Sequence, residues 1–143
     1  MEDSVMIDTI GQAQDLVASG DHEGARALYD ALWVEAIRAE DQYQACVVAH
    51  FLAHTHIEPD AQLDWHLRAL QAADNMGDER VRAFYPSLHA NLGDVYLRLG
   101  NLTQAQEHID KALEFERVLP DDGYGRMIRS LIVRLTQNMK SQF

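Results

Sequence analysis

Residues 85–117 read YPSLHANLGDVYLRLGNLTQAQEHIDKALEFER, and this stretch decides the fold. Apolar residues recur at helical spacing on both sides of a break at Gly100-Asn101, first at Leu88, Leu92, Val95, Tyr96 and Leu99, then at Ala105, Ile109, Ala112, Leu113 and Val118. Gly100 can adopt the left-handed conformation that ends a helix, and Asn101 or Thr103 can cap the next helix through a side-chain oxygen. The stretch therefore predicts a helix, a tight turn and a second helix.

The order of large and small residues in this stretch resembles the tetratricopeptide repeat, whose pattern is W-x2-L-G-x2-Y followed by A-x3-F. The chain has His89-x2-Leu92-Gly93-x2-Tyr96, Ala105-x3-Ile109 and Ala112. In that family, Gly93 and Ala105 would lie where the two helices approach too closely for a large side chain, and Tyr96 would fill the large position between them. The chain departs from the family at His89, where Trp is common, and at Arg117, where a closing Pro is common.

Two weaker copies of the pattern precede the strong one. The first copy keeps the spacings at Leu16, Gly20, Ala25, Tyr29 and Leu32. The middle copy is the most divergent, and Pro59 in its inter-helix turn marks a place where a helix can begin. The resemblance implies an all-α fold, an α-solenoid of antiparallel helix pairs with about seven helices. We expect a single domain over residues 1–143, with repeats at about 5–39, 42–75 and 82–119.

A last amphipathic segment at about 124–140 follows Pro120. Its apolar side carries Ile128, Leu131, Ile132 and Leu135. Repeat arrays leave an apolar face open at their end, so we expect this segment to be a helix that closes it. The alternative is that these four residues form the seam of a homodimer.

Composition limits the partners. The net charge is −11, and it is unevenly distributed. Residues 1–119 hold 21 acidic and 8 basic residues, whereas residues 120–143 hold 2 acidic and 4 basic residues. An acidic body repels phosphate backbones, so we expect no nucleic-acid partner. We also expect no membrane partner, because no apolar run could span a bilayer and no basic amphipathic segment or acylation signal is present. The acidic start and the single cysteine, Cys46, predict a cytoplasmic protein.

Histidines gather in the middle copy. Cys46, His50 and His54 share one helix face, and His66 and His89 fall on helices expected to pack beside it. Such nitrogen and sulfur ligands suit zinc, which makes these five residues the candidate metal ligands. The alternative is that they are polar fillers of helix contacts. Because C-x2-C and H-E-x-x-H motifs are absent, we expect neither a metal nor another cofactor.

Catalytic motifs are absent from the sequence. No G-x-S-x-G elbow or phosphate-binding glycine loop occurs. Cys46 lies in the apolar run 45–49, where a buried thiol is inert. We therefore expect a protein that is not an enzyme.

The family resemblance implies a concave groove lined by the first helix of each repeat. Transferred residue by residue, the lining would be Val47, Phe51, His54 and Thr55 in the middle copy, Ala90, Asp94, Leu97 and Arg98 in the strong copy, and Ile10, Gln14, Val17 and Ala18 in the first copy. The predicted function is a protein–protein interaction module, an adaptor or regulatory scaffold, that binds a peptide or helix in this groove. The acidic exterior would steer partners that carry Lys or Arg. The alternative is a sensor that binds a small molecule, a metal or a signal peptide through the His-rich middle repeat.

Overall fold

The computed structural model describes residues 3–142, and within them the chain forms helices joined by short turns and no strand. In this part eight α-helices follow one another: α1 (Asp3–Ala18), α2 (His22–Arg38), α3 (Gln42–Thr55), α4 (Pro59–Met76), α5 (Glu79–Arg82), α6 (Tyr85–Arg98), α7 (Leu102–Phe115) and α8 (Gly123–Lys140). A 3-10 turn, Glu116–Val118, extends α7. The predicted all-α fold of antiparallel helix pairs is confirmed, and the helix beyond the expected seven is the short α5.

The chain divides into two compact units. The N-terminal unit, residues 1–76, contains α1–α4, and the C-terminal unit, residues 77–143, contains α5–α8. Each unit has an apolar core of its own. The single domain expected over the whole chain remains a prediction.

The turns α1–α2, α2–α3 and α6–α7 share one backbone geometry. The middle residue of each turn has a positive φ, 91° at Gly20, 54° at Glu40 and 79° at Gly100. The residue that follows donates its N–H to the carbonyl five positions back, and its side chain caps the next helix: Asp21, Asp41 and Asn101. Glycine enters this left-handed region freely, whereas Glu40 is held there against the preference of its side chain.

The N-terminal unit packs α1–α4 around small and medium apolar side chains: Met6, Ala13, Ala25, Tyr29, Leu32, Val48 and Leu52. Pro59 is the first residue of α4, as predicted. Trp33 of α2 and Trp65 of α4 meet edge to face with ring centroids 5.1 Å apart, and the Arg68 guanidinium lies 4.3 Å from the Trp65 centroid. Aromatic contacts thus join the second helix of the first repeat to the second helix of the middle repeat.

The close approach predicted between α6 and α7 is present in the C-terminal unit. A Cβ atom placed on Gly93 would lie 2.9 Å from Cγ1 of Ile109 and 3.5 Å from the Ala105 carbonyl oxygen. Ala105 itself is fully buried. Tyr96 stacks on His108 with centroids 5.5 Å apart. The small and large positions of the repeat motif are therefore occupied as the sequence predicts.

Helix α8 covers the apolar side of α6 and α7. Ile128, Ile132 and Leu135 are buried in one cluster with residues of both helices, and Leu131 packs against its edge. These are the residues of the alternative dimer seam, and they are already used within the C-terminal unit. A dimer built from them would require α8 to undock.

Candidate partner-binding cleft

A cleft of about 290 Å³ opens in the N-terminal unit between its two helix pairs. Three helices contribute its lining: Gln14 and Val17 from α1, Tyr29 from α2, and Phe51, His54 and Thr55 from α3. The size suits one or two side chains of a partner rather than a whole cofactor. Its walls are mainly apolar, with polar groups at the edge.

Two aromatic rings give the cleft a rigid wall. Tyr29 is 1% exposed, and its ring stacks on Phe51 with centroids 5.4 Å apart and an angle of 7° between the planes. Burial raises the pKa of the Tyr29 hydroxyl above its usual value. The phenol therefore stays neutral at physiological pH and offers a hydroxyl group rather than a charge.

Hydrogen bonds fix the end of α3 that borders the cleft. The Thr55 hydroxyl donates to the Leu52 carbonyl at 2.8 Å. Arg26 of α2 donates from Nη2 to the Thr55 carbonyl at 2.7 Å, and so satisfies one of the last carbonyls of the helix. The cleft edge is thus tied to α2 as well as to its own helix.

Of the predicted groove residues in the first and middle copies, five line this one cleft: Gln14, Val17, Phe51, His54 and Thr55. The others lie outside the lining, with Ile10 packed against the core, Val47 partly buried and Ala18 exposed. Tyr29 was missed, because only first helices were expected to line the groove and Tyr29 belongs to a second helix. Its signal was present in the sequence, since Tyr29 occupies the motif position of Ile109, where a large side chain reaches between helices.

The predicted groove residues of the strong copy are placed differently. Ala90 is fully buried in the cluster that α8 completes, so it cannot contact a partner while α8 is docked; its assignment to the groove is corrected here. Leu97 is partly buried against the same cluster. Asp94 and Arg98 form an ion pair of 3.3 Å within α6. A terminal helix covering the last repeat was predicted, but the apolar periodicity of that helix does not indicate that it would cover Ala90.

Three of the five candidate metal ligands come together beside the cleft. The ring centroids of His50, His54 and His66 lie 4.9 Å (His50 to His54), 5.3 Å (His54 to His66) and 6.1 Å (His50 to His66) apart. Burial, and secondly the charge of His54, lowers the pKa of His50 to about 4. Among the described residues, however, no group of three or more His, Cys, Asp or Glu side chains has an arrangement that could hold a metal ion.

The other two candidate ligands have different surroundings. Cys46 is buried, and its burial, together with the charge of Asp74, raises the pKa of the thiol to about 12, so in the metal-free protein the thiol stays protonated at neutral pH. His89 lies in the C-terminal unit, where its Nδ1 is 3.0 Å from Nδ1 of His108. One ring of that pair donates and the other accepts, and Tyr85 and Phe115 stack beside His89. The candidate rings that meet within one unit are thus those of His50, His54 and His66.

These features define a class: an all-α repeat protein of paired helices with a side-chain-sized cleft. Comparison with family models identifies the repeat. Residues 86–117 match a model of the tetratricopeptide repeat, and residues 9–31 match a second model of the same repeat. The chain carries tetratricopeptide repeats in these two segments, and such repeats indicate a protein–protein interaction module in the general sense.

Two further observations concern curated relatives and membrane-spanning helices. No curated protein matches the chain significantly. In residues 3–142 there is no helix with the length and apolar character that crossing a membrane requires.

Proposed function

We propose that the chain is an adaptor or regulatory scaffold that binds a peptide or helix of a partner protein, and that the cleft of the N-terminal unit receives an anchoring side chain of that partner. The observation that carries the proposal is the convergence of Val17, Tyr29 and Phe51 on one open, mainly apolar cleft. Buried apolar anchors supply most of the binding energy in such interfaces.

The geometry of the cleft supports a side chain as its ligand. The stacked Tyr29 and Phe51 rings present a flat apolar surface, on which an aliphatic or aromatic side chain loses contact with water. Gln14 and His54 at the edge are exposed and carry donors and acceptors for the backbone that brings the anchor in. An apolar floor with a polar rim is the usual anatomy of a peptide-binding site.

The test is capture of partners from the native host with two matched variants. Val17→Arg fills the cleft with a long charged side chain, whereas Val34→Arg makes the same change on α2 at a site that is 65% exposed and outside the lining. We expect a partner to be retained by the wild type and by Val34→Arg and lost with Val17→Arg. Circular dichroism at 222 nm checks that both variants keep their helices.

Capture of the same proteins by all three forms would show that the cleft is not used. In that case the interaction surface would lie elsewhere on the chain, and the proposal would be withdrawn.

A second candidate function is a proton-responsive sensor, and the triangle of His50, His54 and His66 favours it. His54 both lines the cleft and contacts the other two rings, so a proton on the His54 imidazole alters the polarity of the cleft wall. The test is an NMR titration of the imidazole Cε1–H resonances between pH 5 and pH 8 with and without the captured partner. A sensor requires the partner to shift these titration curves; curves that coincide would rule it out.

A further inference from the structure

The negative charge of the chain is confined to one unit. The net charge is −11, and residues 1–76 hold 14 acidic residues and three arginines, which already gives −11. Residues 77–143 hold nine acidic and nine basic residues and are neutral. The unit that contains the cleft therefore carries the whole net charge of the molecule.

All three arginines of this unit are engaged within it. Arg26 donates to the Thr55 carbonyl, Arg38 pairs with Glu35, and Arg68 pairs with Asp64 at 3.0 Å while covering Trp65. Arg38 and Arg68 are each paired with a carboxylate, whereas Arg26 binds a neutral carbonyl and keeps its positive charge at the edge of the cleft. Fourteen acidic residues outnumber the three guanidinium groups, so the field of the unit as a whole is negative.

Acidic residues also adjoin the cleft lining in the sequence. Asp15 follows Gln14 on α1, and Asp30 follows Tyr29 on α2, and both are exposed. Burial lowers the pKa of His50 and of His56, so these two imidazoles add no positive charge at neutral pH. The cleft thus opens in a negatively charged unit, with the Arg26 guanidinium at its edge.

We infer that the partner segment is basic and amphipathic, with an aliphatic or aromatic anchor residue flanked by lysines or arginines. This inference rests on the proposed function, since it names the ligand class of the same cleft. The anchor enters the space between Val17, Tyr29 and Phe51, and the flanking cations face the acidic side chains outside the lining. An acidic segment with the same anchor meets like charge and is rejected.

Two synthetic helical peptides test the inference with the full chain. Both carry the same stripe of Leu and Phe; the remaining positions are Lys in one peptide and Glu in the other. Binding is measured by fluorescence anisotropy at low and at physiological salt. We expect the Lys peptide to bind at least about tenfold more tightly than the Glu peptide, with the difference shrinking as salt rises.

The chain offers a matched pair of variants for locating the charge effect. Gln14 lines the cleft, and Gln12 is exposed two positions earlier on α1, on the opposite side of the helix. Gln14→Lys should weaken binding of the Lys peptide about tenfold at low salt, and Gln12→Lys less than about twofold. Both are exposed positions, so neither change removes core packing.

Phe51→Ala separates the possible failures. If both peptides bind equally and both lose affinity with Phe51→Ala, the cleft binds anchors without regard to charge, and this inference is wrong while the proposed function stands. If neither peptide depends on Phe51, the proposed function fails as well. Equal effects of Gln14→Lys and Gln12→Lys on the Lys peptide would mean that the acidic surface attracts it without the cleft, which also overturns the inference.

Discussion

Gly125 is a residue at which the backbone leaves no room for a side chain. A Cβ atom there would overlap the carbonyl oxygen of Pro120, to which Arg129 also donates from Nη1 at 3.1 Å. The Arg129 Nη2 donates to the Leu119 carbonyl at 2.8 Å, so one guanidinium holds two consecutive carbonyls of the loop before α8. The close contact between Gly125 and the Pro120 carbonyl therefore fixes the position of the first turn of α8, the helix that packs on α6 and α7.

Gly125→Ala should lower the free energy of unfolding of the C-terminal unit by about 2–3 kcal/mol, because the loop must shift to admit a methyl group. Gly123→Ala is the matched control on the same helix, since a Cβ atom there meets nothing within 4 Å. Hydrogen exchange of the α8 amides under increasing urea measures the free energy of unfolding of the C-terminal unit in both variants. Equal exchange in the two variants would contradict the close contact.

Gly93 and Gly125 differ in what the sequence could reveal. Gly93 could be predicted as a site of close helix approach because it falls in a recognisable motif with Ala105. Gly125 touches an irregular loop, and the path of that loop follows from hydrogen bonds to Arg129 rather than from any periodic pattern. A close backbone contact outside a motif cannot be predicted from the spacing of apolar residues.

The His89–His108 pair makes the C-terminal unit sensitive to acid. Burial, followed by the charges of His108 and Lys111, lowers the pKa of His89 to about 4; burial and Lys111 also lower the pKa of His108, against the opposing effect of Glu107. The unfolded chain thus binds more protons than the folded chain below about pH 6.5. The stability that depends on this neutral histidine pair is fully present above that pH, and it is lost as the pH falls toward 4.

We expect the C-terminal unit to lose about 2 kcal/mol of stability between pH 7 and pH 4.5 on this account. The double variant His89→Phe/His108→Phe keeps two rings in the stack but removes both titrating groups, so its stability should vary less over that range. Hydrogen exchange of α6 and α7 at each pH is the measurement. An acid response unchanged by the double substitution would place its source elsewhere.

At the scale of elements, the three similar turns invite a direct comparison. Glu40 holds a left-handed conformation with φ of 54° at the position that glycine occupies in the other two turns. Glu40→Gly should stabilise the N-terminal unit by about 0.5–1 kcal/mol, because relief of the backbone strain exceeds the entropy that glycine adds to the unfolded chain. Urea unfolding, monitored by tryptophan fluorescence, measures this change in the free energy of unfolding.

Gly20→Ala is the reverse experiment in the α1–α2 turn, where φ is 91°. It should destabilise the same unit by about 1 kcal/mol. A loss of stability in both variants would show that Glu40 makes a contact that outweighs its strain.

Helix positions followed from the sequence where both a helix-start signal and an apolar period were present, as at the cap Asn101 and at Pro59, the first residue of α4. The short α5 was not predicted, because Glu79–Arg82 is too brief to show a period. For α8 the sequence left two roles open, since an amphipathic stripe looks the same whether it meets its own chain or a second copy. Ile128 and Ile132 are buried within the C-terminal unit, and a homodimer through α8 stays a prediction.

At the scale of the whole molecule, the cleft shows what repeat spacing can and cannot predict. The spacing placed Val17 and Phe51 on facing helices, and they do line one cleft. It did not predict Tyr29 in the wall or the burial of Ala90, because both depend on how neighbouring helices cover one another. Binding by any of these residues remains a prediction.

The uneven charge of the molecule predicts an uneven response to salt. Self-repulsion among the acidic residues of residues 1–76 destabilises that unit, and raising NaCl from about 0.02 M to about 0.5 M screens it. Hydrogen exchange should slow severalfold in the N-terminal unit and change less than about twofold in the neutral C-terminal unit. Equal slowing in both units would show that the charge asymmetry has no energetic effect.

The Trp33–Trp65 pair gives the protein a label of its own. The chain has two tryptophans, and both lie in the unit that contains the cleft, with their rings crossing at 89°. Indoles this near each other couple their strong electronic transitions, so they are expected to produce an exciton couplet in far-ultraviolet circular dichroism. A ligand that alters the packing of α2 and α4 would change that couplet, and occupancy of one half of the molecule could be followed without attaching a dye.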